Sequence, residues 1–226
     1  IAEMGFDWVW LLSVWQTGPD AQRVSRSNPE WRREFHETLP DLTDEDIPGS
    51  GFAITGYTVH DKLGGDAAMA RLRERLKARG VKLMLDFVPN HTSALHPWFR
   101  DALAGGTHAD WYLWSDAQPG WPGPAGRTAW HEAGGRWYYG VFDASMPDLN
   151  LTNPAVTAEL TDVARYWLTE VGVDGFRIDA AKHLIVAAKH NDHAGEVVQM
   201  KDFSIGLQFQ VLRFVDDQNA LGKIVV

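Results

Sequence analysis

The chain has 226 residues and a mass of 25.3 kDa, which corresponds to one large domain or one and a half at about 150 residues per domain. Hydrophobic residues at 45% and charged residues at 23% exclude a disordered chain, and a net charge of −9 argues against a nucleic-acid partner, which needs a basic face. No apolar run approaches the roughly 20 residues of a membrane span, and the absence of cysteine excludes disulfides, thiolate metal sites and cysteine nucleophiles while leaving the compartment open.

In chain order, three junctions share one grammar: a helix-like end, a glycine, then an apolar strand-like run. Gly5 leads into residues 7–14, Gly80 into 82–88 and Gly172 into 174–179. Glycine suits the left-handed residue that closes a helix, and the runs that follow are too apolar for half-exposed strands. Before the second junction Met69, Leu72 and Leu76 recur at helical spacing. Before the third, Val156, Leu160, Val163, Trp167 and Val171 do so behind Asn153-Pro154, a cap and first residue. These patterns predict parallel strands with helices 66–79 and 154–171 outside them, an α/β architecture.

The junctions lie 75 and then 92 residues apart, so long loops follow the strands. The stretch 13–65 carries turn formers and one helical candidate, Pro29 to Thr38. The stretch 90–149 holds six of the eleven tryptophans, between Trp98 and Trp137. Those tryptophans are either the core of a small subdomain or flat platforms for sugar faces. Loops leaving the carboxyl ends of parallel strands are where α/β proteins place their active sites.

At the end of the second strand stands Asp86-Phe87-Val88-Pro89-Asn90-His91, and at the end of the third Gly175-Phe176-Arg177-Ile178-Asp179-Ala180-Ala181-Lys182-His183. Strand period places Arg177 and Asp179 on one face, where the guanidinium favours an ionised carboxylate. That pair is either a structural ion pair at a strand end or an oriented nucleophile. His91 is either a structural histidine or a donor to a hydroxyl, and Asn90 can bind a hydroxyl or a hard cation. Zinc is disfavoured, because Asp86, His91 and His183 lack the paired spacing of zinc ligands.

On these residues the chain resembles the α-amylase family of retaining α-glucan glycosidases. Asp86–His91 matches the family's Asp-x-x-x-Asn-His signature, and Gly175–His183 matches Gly-x-Arg-x-Asp-x-x-x-His. Met146-Pro147-Asp148-Leu149-Asn150 matches an accessory signature, and Gly56-Tyr57 with Asp61 resembles a tyrosine-bearing loop. The resemblance covers roughly residues 1–183 and implies a partial TIM (β/α)8 barrel, with residues 1–91 its N-terminal part. Residues 92–150 would be a small subdomain inserted after the third barrel strand, and 151–226 the continuation, divergent from about 184.

The resemblance implies that Asp179 is the nucleophile and that Arg177 holds its charge. It also implies that His91 binds the sugar, Tyr57 stacks under it, Asp86 is a buried support, and Lys182 and His183 line the leaving-group side. No cofactor is required, although calcium near Asn90 is compatible with the family. The implied partner is an α-glucan or α-glucoside. The family's acid/base glutamate has no convincing counterpart. Gly195-Glu196 lies only 17 residues after Asp179, too few for a helix and a strand, and Phe214–Asn219 echoes the last signature only by chance. A complete barrel needs about 250 residues before any insertion. The chain therefore reads as a part that starts in the second βα unit and ends around the fifth, with no normal turnover expected of it.

Overall fold

Gly5, Gly80 and Gly172 have positive φ angles of 80°, 70° and 77°, and each turns the chain into a strand of one sheet. The computed structural model describes residues 1–47 and 49–184, with the backbone of two short strands beyond them. After Gly5 comes β1 (Trp8–Leu11), and then β2 (Trp15–Thr17). Two helices follow, α1 (Pro19–Ser27) and α2 (Pro29–Thr38), with Asn28 between them. The Asn28 side chain accepts from the N–H groups of Glu30 and Trp31 and so caps α2. Strand β3 (Ile54–Val59) returns antiparallel to β2, and α3 (Gly65–Lys77) leads to β4 (Lys82–Phe87).

Beyond β4 lie α4 (Pro97–Leu103) and a separate three-stranded antiparallel sheet of β5 (Trp114–Ser115), β6 (Trp130–Ala133) and β7 (Arg136–Tyr139), in the order β5-β7-β6. Helix α5 (Pro154–Tyr166), capped by Asn153 and extended by a π-helical turn over Trp167–Val171, returns to β8 (Gly175–Ile178). Strands β9 (Leu212–Arg213) and β10 (Ile224–Val225) complete the sheet order β1-β4-β8-β10-β9.

Strands β1, β4 and β8 are parallel, with Trp8 opposite Lys82 and Asp86 opposite Arg177, in agreement with the glycine grammar. The sheet is nevertheless mixed, because β10 runs antiparallel to β8, with Val225 opposite Arg177. Central β4 is buried on both faces, from Leu83 to Phe87: Phe87 packs on Tyr57 of β3 and on Phe176, and Asp86 on the other face meets Trp10, Ser13 and Arg177. The expectation of two buried faces fails for β1. Among the described residues β1 is an edge strand, and Trp8 and Trp10 are 38% and 42% exposed, each ring met by one cation, the Lys82 ammonium at 5.0 Å and the Arg177 guanidinium at 5.7 Å.

Met69, Arg73 and Leu76 form the buried face of α3, and Val156, Leu160 and Ala164 that of α5, at the three- and four-residue spacings of one helical stripe. Arg73 ties the elements together. Its guanidinium donates to the Gly172 carbonyl and, at 3.1 Å, to Asp174, whose other oxygen accepts from the Leu83 N–H at 2.8 Å. Gly56 and Tyr57, expected in a loop, belong to β3. No helix among the described residues is long and apolar enough to cross a membrane.

Candidate active site

Asp86 and Arg177 face each other across the register of β4 and β8, and Asp179 follows β8 directly with its N–H donating to the Phe87 carbonyl at 2.8 Å. The Arg177 guanidinium donates to Asp179 at 2.6 Å and, through the same nitrogen, to Asp86 at 3.3 Å. It also lies over the rings of Trp10 and Phe52, 5.7 Å from each centroid, which adds two cation–π contacts.

Asp86 is fully buried, and its carboxylate accepts from the Ser13 N–H at 2.6 Å and from the Trp10 indole at 3.1 Å. Burial raises its pKa, opposed by the Ser13 N–H, the Arg177 charge and the Trp10 indole, while Asp179 adds repulsion. Both Asp86 oxygens are thus engaged within the protein, and one of them accepts from Arg177. Asp179 is the accessible member of the pair, its side chain 13% exposed. Ala180, the next residue, has a φ of 52°, a left-handed conformation that costs a residue with a Cβ about 1 kcal/mol. That turn swings the chain into the short helix Ala181–His183.

His91 emerges after β4 and is bridged antiparallel to Asp148. Burial depresses its pKa to about 4, the Phe52 backbone opposes this, and His183 reinforces it, so the ring is neutral at neutral pH. Phe142 packs edge-on against both His91 and His183, at 5.2 and 5.0 Å between centroids. It is 46% exposed, so it presents a free apolar surface beside the two histidines. Lys182 sits in the same short helix as His183, and its side chain lies outside the described residues.

Tyr57 requires a correction. It is buried among Trp15, Phe87 and Trp98, and its hydroxyl donates to the Val88 carbonyl at 2.7 Å. It is a core residue beneath the site and offers no face to a sugar. β3 alternates its side chains, and the inward one at this position is claimed by the aromatic core. The rings that do border Arg177 are Trp10 and Phe52, and Phe52, just ahead of β3, is one that sequence reasoning missed along with Phe142. The signal for Phe52 was present in Gly51-Phe52, an aromatic residue in a turn-rich stretch. Phe142 had no such signal, because the fold of residues 92–150 decides where it points.

Asn90 is 2% exposed, its carbonyl accepts from the Leu149 N–H at 2.8 Å, and its amide stands 3.3 Å from His91 Nδ1. The nearby acid, Asp148, has its pKa pushed by burial up to about 8. One buried, largely protonated carboxyl beside one amide does not fit calcium, which takes six to eight oxygens. Among the described residues no group of three or more His, Asp or Glu is placed to hold a metal ion, and no step below is routed through one. Glu196 and Phe214–Asn219 lie outside the described residues.

A carboxylate and a guanidinium at the carboxyl ends of parallel strands, bordered by loops leaving those strands, define an α/β catalytic domain of the barrel type. The comparisons agree. Residues 1–215 match the family described as alpha amylase, catalytic domain, and the chain belongs to that family. It is 34% identical over 156 residues to alpha-amylase 3 of Dictyoglomus thermophilum, covering 68% of this chain and 29% of that protein. It is 40% identical over 212 residues to the amino acid transporter heavy chain SLC3A1 of Homo sapiens, covering 79% of this chain and 31% of that one. Among solved structures, an isomaltulose synthase mutant from Erwinia rhapontici NX5 in complex with D-glucose is 27% identical with a TM-score of 0.61, covering 80% of this chain and 29% of that one. The chain thus spans about a third of the length of its relatives.

Proposed function

We propose that the chain carries the nucleophile half of a retaining α-glucosidic site acting on starch-like glucans, malto-oligosaccharides or small α-glucosides. The observation that carries this is the Arg177–Asp179 contact at 2.6 Å, seated on buried Asp86 at the carboxyl edge of the sheet. Asp179 attacks the anomeric carbon, the bond to the leaving oxygen breaks, and a covalent glucosyl ester forms. Water then attacks the same carbon, gives up one proton to solvent, and releases Asp179 as carboxylate, with the anomeric configuration retained. The leaving oxygen takes up a proton in the first step, and no described residue is positioned to supply it. General acid catalysis contributes roughly 10²- to 10⁴-fold, so unactivated glucans turn over slowly on this chain alone.

In this reading His91 donates to a sugar hydroxyl, Phe52 offers the ring face once expected of Tyr57, and Phe142, Lys182 and His183 border the leaving-group side. Residues 92–150 are the subdomain inserted after the third barrel strand, a reading supported by the separate sheet β5-β7-β6 lying between β4 and α5. Residues 1–91 and 151–226 form the flanking parts of the barrel. A second reading is favoured by likeness to a protein named an isomaltulose synthase: a sugar hydroxyl, in place of water, accepts the glucosyl unit. The test is α-glucosyl fluoride, whose leaving group needs no protonation. Release of fluoride with α-glucose as the first product, lost in Asp179→Asn, is expected, and glucosyl transfer to added maltose marks the second reading. No release above the Asp179→Asn background overturns both and leaves a non-catalytic relative.

A further inference from the structure

Asn90 and His91 are consecutive and both buried, at 2% and 1% exposure. The Asn90 amide nitrogen lies 3.3 Å from His91 Nδ1. The same amide acts on Asp148, where it favours the carboxylate, and Asp148 Oδ1 is itself held by the Val141 N–H at 3.2 Å. The backbones are locked together as well: His91 is bridged to Asp148, and the Leu149 N–H donates to the Asn90 carbonyl at 2.8 Å.

An amide nitrogen carries protons and no lone pair to offer, so it meets Nδ1 only when that nitrogen is bare. A buried, neutral ring has one proton, which must then sit on Nε2. The Phe52 backbone also acts on the ring and favours its protonation, but no hydrogen bond from Nε2 to it closes. Nε2 is buried and makes no hydrogen bond among the described residues. A buried N–H without an acceptor is the group a sugar hydroxyl would satisfy.

We propose that Asn90, oriented by Asp148, is a positioning residue that fixes His91 as the Nε2–H tautomer and so gives the site a neutral hydrogen-bond donor. The tautomer follows from the protein alone, while the use of the donor for a sugar rests on the function proposed above. The opposite amide orientation would present the Asn90 carbonyl to a protonated Nδ1 and leave Nε2 an acceptor, so the two arrangements are spectroscopically opposite.

The experiment is long-range proton–nitrogen correlation on the chain carrying ¹⁵N-labelled histidine at pH 7, with His91 identified by its loss in His91→Gln. The expected spectrum has a protonated Nε2 and a bare Nδ1. In Asn90→Ala, and less fully in Asp148→Leu, the two nitrogens move toward the averaged shifts of a mixed tautomer. A wild-type Nδ1–H overturns the proposal without any variant being needed. A pure Nε2–H form that persists in both folded variants overturns the role of Asn90 and Asp148. Added maltose is expected to shift the Nε2 resonance; a resonance left in place overturns the sugar-donor role and leaves the tautomer standing.

Discussion

Arg177 stands opposite Asp86 in the register of β4 and β8, and a single guanidinium nitrogen serves Asp86 at 3.3 Å and Asp179 at 2.6 Å. Asp86 is thereby the anchor of the pair, since its carboxylate also ties down Ser13 and Trp10 from the β1 side. Asp86→Ala strips the partner from a part-buried guanidinium and from two N–H donors at once. The expected loss is about 3–5 kcal/mol in urea unfolding. A loss under about 1 kcal/mol would show that the anchor is dispensable.

Tyr57 and Phe52 separate core from site. Tyr57→Phe leaves the Val88 carbonyl without its donor and lowers stability by about 1 kcal/mol, with no change in maltose affinity. Phe52→Ala removes a ring beside Arg177 and weakens maltose binding by roughly 2- to 12-fold, the equivalent of one aromatic contact. Calorimetric titration of both variants checks the contrast, and an affinity loss in Tyr57→Phe would return that residue to the site.

Ala180 carries its left-handed φ of 52° immediately after Asp179. Ala180→Gly removes the Cβ conflict and is expected to stabilise the chain by about 1 kcal/mol in thermal or urea unfolding. Ala180→Val, with a branched Cβ in the same conformation, is expected to destabilise it.

Stability against pH follows from three buried groups. His91 and His96 have folded pKa values of about 4, below the 6.5 of the unfolded chain, so their contribution is present above pH 6.5 and lost as pH falls toward 4. Asp148 has a folded pKa of about 8, above 3.8, so its contribution is present below pH 3.8 and lost as pH rises toward 8. Between about pH 4 and 6.5 the unfolded chain gains two histidine protons against one held by Asp148, a net of one proton, and above 6.5 only Asp148 acts. Stability therefore peaks near pH 6.5 and falls on either side by about 1.4 kcal/mol per pH unit. Asp86, also raised by burial, softens the acid limb at its lower end. Urea midpoints across pH 4–8 read the curve, and Asp148→Asn is expected to flatten the alkaline limb.

Legibility in the sequence divides along physical lines. The parallel strands, α2, α3 and α5 were readable because glycine closure, Asn-Pro caps and helical spacing are local signals, and Arg177 beside Asp179 followed from strand period. Helix α1 was hidden because Gly18-Pro19-Asp20 reads as a turn, although Pro19 in fact opens the helix. The exposed face of β1 was hidden because an apolar run does not report whether a neighbour covers it. Tyr57 misled because a motif gives order along the chain and not the face a strand residue takes, whereas Phe142 is brought to His91 and His183 only by tertiary contacts.

The central claim is that Asp179 is a nucleophile poised on Arg177. 5-Fluoro-α-D-glucosyl fluoride tests it most directly, because fluoride departs without an acid and the ring fluorine slows release of the ester. Peptide mass spectrometry after incubation is expected to find a single fluoroglucosyl group on Asp179, absent in Asp179→Asn. An unlabelled chain, or a label on any other carboxylate, would contradict the account.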